Sequence, residues 1–118
     1  MMKQSDFTGR KCQPCEKGTL PLNSSEIRER LSAIPLWQLA QDEKSVSTQF
    51  VMKDFMAAVR LIEKISEVAE AEDHHPDVHL TGYRKLRIDL STHSIGGLSE
   101  NDFILAAKID ELPKELKK

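Results

Sequence analysis

Apolar residues recur along this chain with two different periods. Between positions 54 and 73 they return every three or four residues, with no Gly or Pro between them, which is the spacing of one face of an α-helix. Phe55, Val59, Ile62, Ser66 and Ala69 form the stripe expected to cover a sheet. Leu61, Ile65 and Val68 keep the same spacing on roughly the opposite side. Three apolar residues at i, i+4 and i+7 predict a seam against another subunit, because a monomer would leave them in water.

Elsewhere the period is two. Val46, Thr48, Phe50 and Met52 share one face of a run over 45–52. That run pairs with 36–41 across Asp42, Glu43 and Lys44 as an antiparallel hairpin. Leu86, Ile88 and Leu90 alternate with Lys85, Arg87 and Asp89 in a run over 84–92, which follows a run over 78–81 across Gly82.

Capping residues mark the remaining elements. Asn23, Ser24 and Ser25 open a short helix carrying Ile27, Leu31 and Ile34 and stopped by Pro35. Gly96 and Gly97 make a flexible turn. Ser99 to Asp102 resembles a capping box with Asp for the usual Glu, opening a helix with Leu105, Ile109 and Leu112 before Pro113. The order is α-β-β-α-β-β-α, which predicts the α+β class: a four-stranded antiparallel sheet with helices on one face. Residues 23–118 are expected to form a single domain, preceded by an arm over 1–22.

Composition agrees with one soluble domain: 118 residues, 39% hydrophobic and 31% charged, enough for a modest core but short for two. Seventeen basic residues oppose nineteen acidic ones, and no stretch gathers Lys and Arg densely enough to hold a phosphate backbone, which argues against nucleic acid. No apolar run suits a signal peptide or a bilayer span, so the expected compartment is the cytosol, without a membrane partner. Cys12 and Cys15, separated by Gln13 and Pro14, read as half a zinc site, a redox dithiol or two thiols in a polar arm far from any core.

All four histidines lie between positions 74 and 93. His75 and His79 have the i, i+4 spacing of a helical zinc pair, but Pro76 prevents the helix from continuing and so separates them. Acid–base chemistry is the alternative. His74 falls at a helix C-terminus, where orphan carbonyls favour a cation, with Glu70 and Asp73 close in sequence. A histidine that holds its proton near neutrality can donate it to a departing hydroxyl and later recover one. Glu70 falls at the edge of the core-facing stripe, a position suited to orienting a substrate or a histidine. His93 follows Ser91 and Thr92 in the phase of Lys85, Arg87 and Asp89, and so points away from the core.

Glu70-x-x-x-His74-His75-Pro76, followed by Tyr83, His93 and Asp102, resembles the signature of the pterin-4a-carbinolamine dehydratases. The similarity continues through Ser91-Thr92-His93, Gly97-Leu98-Ser99 and Asn101-Asp102-Phe103 to Ala106-Ala107, and back to Pro35-Leu36-Trp37, covering about residues 24–112. The resemblance implies dehydration of a 4a-hydroxytetrahydropterin left by aromatic amino acid hydroxylases, giving a quinonoid dihydropterin, with no metal or organic cofactor. It implies His74, His75 and His93 as catalytic: His74 and His93 approach the pterin from different sides as proton donors, while His75 holds the ring and assists proton transfer. Glu70, Asp73, Pro76, Ser91, Thr92 and Asp102 are implied as binding or supporting groups, with Asp102 equally suited to capping the last helix. Trp37 and Tyr83 are candidates to flank the pocket, Trp37 equally for the core. It also implies a homodimer or homotetramer. Some animal members stabilise the dimer of a transcription factor, so a protein-binding module is the alternative function.

Overall fold

A computed structural model describes residues 2–14 and 18–118. In chain order its elements are α1 (Ser5–Thr8), α2 (Ser24–Leu31), β1 (Gln38–Leu39), β2 (Val46–Val51), α3 (Phe55–Glu72), β3 (Asp77–Thr81), β4 (Lys85–Leu90) and α4 (Glu100–Glu111), with a 3-10 turn at His93–Ile95 before α4. The predicted α+β architecture is present. All strand pairs are antiparallel, in the order β1-β2-β4-β3. The centre of the sheet is the long β2–β4 ladder, in which Val46 faces Leu90 and Phe50 faces Leu86.

Alternation decides which face is covered. Val46, Thr48, Phe50, Leu86, Ile88 and Leu90 are buried, whereas Gln49, Lys85 and Arg87 are exposed, so the helices lie on one face and the other is wet. Each fully buried Leu or Ile contributes roughly 1.5–3 kcal/mol relative to exposure. Strands β1, β2 and β4 are shorter than the runs that predict them, whereas β3 starts one residue earlier, at Asp77. The Trp37 N–H closes a turn onto the Ile34 carbonyl, which leaves only Gln38 and Leu39 of the first run to pair with β2.

Helix α3 has the predicted extent, but its burial differs from the expected one. Leu61 and Ile65 are each 1% exposed and Val68 packs partly against the same core, whereas Phe55 is 50% exposed and Ser66 is exposed. The predicted seam therefore belongs to the core face, and the stripe assigned to the core is split: Ala69 is buried and Ile62 packs against the core, while Phe55 and Ser66 look outward. The two stripes lie roughly 100° apart on the helix, not on opposite sides, so a wheel alone does not rank them. Ala57 and Ala58, both buried, flank the Leu61 face and let the helix settle close to its neighbours, while Phe55 and Met56 put bulk on the other side.

The arm is docked. Phe7 is fully buried, with its ring centroid 6.2 Å from that of Phe103. Gln4 Nε2 donates to the Ala107 carbonyl at 3.2 Å, and Arg10 pairs with Glu100 at 3.2 Å. With α1 on one side and α3 on the other, α4 is buried continuously from Asn101 to Ala107. Among the described residues no helix is long and apolar enough to cross a membrane.

Candidate active site

The site begins where α3 stops. Asp73 takes a left-handed conformation (φ 51°, ψ 40°), and its N–H bonds back to the Ala69 and Glu70 carbonyls. Aspartate tolerates this geometry better than most residues and closes the helix. The chain then reverses, His74 N–H bonds to the Ala69 carbonyl at 3.2 Å, and the His74 ring turns inward to 11% exposure. There its Nε2 meets Asp102 Oδ1 at 2.7 Å.

Asp102 is fully buried, and its other oxygen is occupied. Oδ2 accepts from Thr92 Oγ1 at 2.8 Å and from the Ser99 N–H at 3.0 Å. The Thr92 hydrogen is thus committed, so the Ser99 hydroxyl donates to Thr92 Oγ1 at 2.8 Å. A carboxylate only accepts, so His74 Nε2 carries the hydrogen toward Asp102. Nδ1 is then the ring atom left to exchange a proton. Asp102 performs both roles read for it, because the capping box of α4 and the histidine contact use different oxygens. Gly97 makes the arrangement possible. Its carbonyl accepts the Thr92 N–H at 2.8 Å, and a Cβ there would meet Pro21 Cβ at 2.8 Å.

The other predicted residues divide into two places. His75 Nε2 stands 3.4 Å from Glu70 Oε1, and with Pro76 they line a small pocket of about 160 Å³ beside Ile62 and Val78. The Glu70 side chain is 78% exposed, which corrects its expected position at the edge of the core; Glu70 reaches His75 from the solvent side. Neither Glu70 nor Asp73 bonds the His74 ring, whose charged partner is Asp102. His93 is exposed and opens the 3-10 turn, because β4 ends at Leu90 and not at Thr92. Ser91 is half-buried between them.

Trp37 is a core residue whose Nε1 donates to Asp110 at 3.0 Å. Burial raises the Asp110 carboxyl despite that bond. Tyr83 is exposed in the β3–β4 turn, at the end of β4 away from His93, a separation of about 20 Å for a strand of this length. Within one subunit it does not share the His74 site. His79, on β3, pairs with Asp89 at 3.0 Å and so stands apart from His75.

His74 opens onto a larger cleft of about 410 Å³. It is lined by Asp73 and His74 at the end of α3, by Thr92 and Ser94 after β4, and by Cys12, Gln13 and Pro14 from the arm. The sequence reading missed this last group, having placed the arm's thiols far from any core. Cys12 instead packs against the core, and its N–H donates to Glu72 Oε1 at 2.7 Å. Glu72 also binds Lys108 at 3.0 Å. Burial works to raise its carboxyl, but the bonds from Cys12 and Lys108 outweigh it and hold the group below the usual carboxylate range. Burial, together with the Glu72 charge, pushes the Cys12 thiol up to about 12, so it stays protonated at neutral pH and is neither a ready nucleophile nor a ready ligand. Cys15 lies outside the described residues, and among the described residues no three His, Cys, Asp or Glu are grouped to hold a metal ion. A signal for Glu72 was present: the spacing that buries Leu61, Ile65 and Ala69 continues to it, and a carboxylate on a buried face requires partners.

The α+β chain thus holds an imidazole against a buried carboxylate at the edge of a cleft. Residues 20–112 match the family described as Pterin 4 alpha carbinolamine dehydratase, and the chain belongs to that family. A Halorhodospira halophila protein to which the family's enzyme name is provisionally assigned is 42% identical over 90% of this chain and 96% of its own length. The mitochondrial pterin-4-alpha-carbinolamine dehydratase 2 of Arabidopsis thaliana is 38% identical over 94% of this chain and 61% of its own length. The crystal structure of a Brucella melitensis protein titled a transcriptional coactivator/pterin dehydratase superposes with a TM-score of 0.71 at 32% identity, covering 76% of this chain and 95% of that one.

Proposed function

We propose that this protein dehydrates a 4a-hydroxytetrahydropterin to the quinonoid dihydropterin by histidine acid–base catalysis. The observation that carries the reading is the 2.7 Å bond from His74 Nε2 to fully buried Asp102, which leaves Nδ1 as the proton-exchanging atom beside the cleft. In the reaction an acid delivers a proton to the 4a-hydroxyl and the C4a–O bond breaks. The lone pair of the adjacent ring nitrogen forms the C=N bond, a base takes that nitrogen's proton, and water leaves.

His74 serves as the acid for one face of the ring and His93 for the other, with His75, steadied by Glu70, holding the ring. Asp73, Pro76, Ser91 and Thr92 shape or support the site, and no metal or organic cofactor takes part. Each positioned acid or base is worth about 10²- to 10⁴-fold. Stopped-flow mixing with freshly made 4a-hydroxytetrahydropterin is the test. Dehydration is expected to accelerate, to slow by about 10²-fold in His74→Ala, and to slow for mainly one stereoisomer in His93→Ala. A spontaneous rate unchanged by the unmodified protein overturns the proposal.

A protein-binding role is a second, compatible reading, favoured by the exposed apolar side of α3 at Phe55 and Met56 and by the coactivator title of the Brucella relative. The same face suits assembly into the homodimer or homotetramer expected from the family. Phe55→Glu with Met56→Glu is expected to lower the mass seen by light scattering, and an unchanged mass removes α3 as the contact.

A further inference from the structure

The arm over residues 10–14 precedes the span matched by the family, yet it forms part of the His74 cleft. Its attachment is specific. Gln13 N–H donates to Asn101 Oδ1 at 2.9 Å, and Asn101 Nδ2 returns a bond to the Gln13 carbonyl at 2.6 Å. One residue earlier, Cys12 N–H reaches Glu72 at 2.7 Å and Cys12 Sγ–H reaches the Asn101 carbonyl at 3.6 Å. Phe7 anchors the chain upstream in the core. A segment held at both ends and bonded through its main chain has little freedom left to lose when a ligand arrives.

Size separates the pocket lined by His74 from the one lined by His75. The cleft, at about 410 Å³, falls within the roughly 300–1,000 Å³ typical of small-molecule sites. The pocket beside His75, at about 160 Å³, falls below it. Gln13 and Pro14 line this cleft together with His74, so trimming them removes surface that a ligand would contact and leaves the His74–Asp102 pair in place.

Resting on the dehydratase reading above, we infer that the arm is the second wall of the pterin cleft, and that Asn101 is a positioning residue holding Gln13 and Pro14 in place. Asn101 acts on substrate affinity, and His74 and Asp102 act on the chemical step. The two contributions therefore separate in the kinetics.

The test compares the full chain with two variants, Asn101→Ala, which removes both side-chain bonds to Gln13, and Gln13→Ala with Pro14→Ala, which trims the wall and leaves the main-chain bonds. Each is expected to raise KM about tenfold while kcat stays within about twofold, with the urea midpoint measured alongside. If Asn101→Ala does not fold, the double variant decides alone. An unchanged KM, or a fall in kcat at constant KM, overturns the inference. If the unmodified protein leaves the spontaneous dehydration rate unchanged, the dehydratase reading falls. The same variants read against equilibrium binding of a 7,8-dihydropterin, followed by its fluorescence, then decide the arm's role: weaker binding in both supports it, and unchanged binding overturns it.

Discussion

Replacing Asp102 by asparagine alters the chemistry of two atoms and almost nothing of the shape, which makes Asp102→Asn the sharpest probe of the site. The Ser99 N–H is a fixed donor that requires an acceptor at 3.0 Å, so the amide oxygen must take the place of Oδ2. The amide NH2 then faces His74 Nε2 at the present 2.7 Å. Two donors cannot share that contact, so Nε2 must give up its hydrogen and the ring must move it to Nδ1. The neutral ring then presents a donor where the reaction alternately needs a donor and a bare nitrogen, and the imidazolium loses its counter-charge. Loss of a positioned acid–base group lowers kcat by about 10²- to 10⁴-fold. Loss of a hydrogen bond to a charged group costs about 1.5–3 kcal/mol of stability, which the domain should survive. Stopped-flow dehydration measures the first, urea unfolding the second, and ¹⁵N shifts of the His74 ring report the tautomer. A rate within about threefold of the parent, equivalent to less than about 1 kcal/mol of barrier, or a ring that keeps its Nε2 hydrogen, refutes the argument.

Four further outcomes follow from the packing and the buried charges. Phe7→Ala removes a fully buried ring from a four-residue helix and is expected to cost about 3–5 kcal/mol in urea unfolding; a loss under about 1 kcal/mol means the arm is not part of the core. Leu61→Ala, inside the core, is expected to cost about 2–5 kcal/mol, whereas Phe55→Ala should cost clearly less, and the reverse order restores the sequence-based assignment of the α3 faces. With its thiol pushed up to about 12, Cys12 should carry roughly 10⁻⁴ thiolate at pH 8 against about a quarter for an ordinary cysteine. In a Cys15→Ser background its iodoacetamide labelling, followed by peptide mass spectrometry, should be slower than that of free cysteine by more than about 10²-fold. The Glu72 carboxyl is held below its unfolded value, so its stabilising share is complete above the usual carboxylate range and disappears as pH falls through the lowered value. Acidification should therefore lower the urea midpoint more in the parent than in Glu72→Gln, and parallel curves contradict this.

Local rules carried much of the fold. Asp54, Asn23 and Ser99 cap the helices they were expected to open, or stand beside the expected cap, because capping depends on residues within one turn. Alternation in β2 and β4 assigned their buried faces correctly, since a strand has only two sides to choose between. A helix has no such restriction. Two apolar stripes roughly 100° apart on α3 are equally good locally, and the neighbours that made Leu61 the core residue belong to other elements. The end of α3 was legible from Pro76, but the inward turn of His74 onto Asp102 was not.

Residue types and short spacings by themselves determined the order of the elements from α2 to α4, the extent of α3, the clustering of histidines near its end and the cap at Asp102, but not α1 or the early end of α2 at Leu31. Only the tertiary structure decided that Asp102, twenty-eight positions from His74, is that histidine's partner, that Glu70 pairs with His75, and that the arm closes the cleft through Asn101, eighty-eight positions away. The reason is the range of the forces that leave a mark on sequence. Capping, turns and periodicity act over a few residues and appear as local patterns, whereas a hydrogen bond between distant segments leaves two ordinary polar residues, which only the packing of the whole chain brings together.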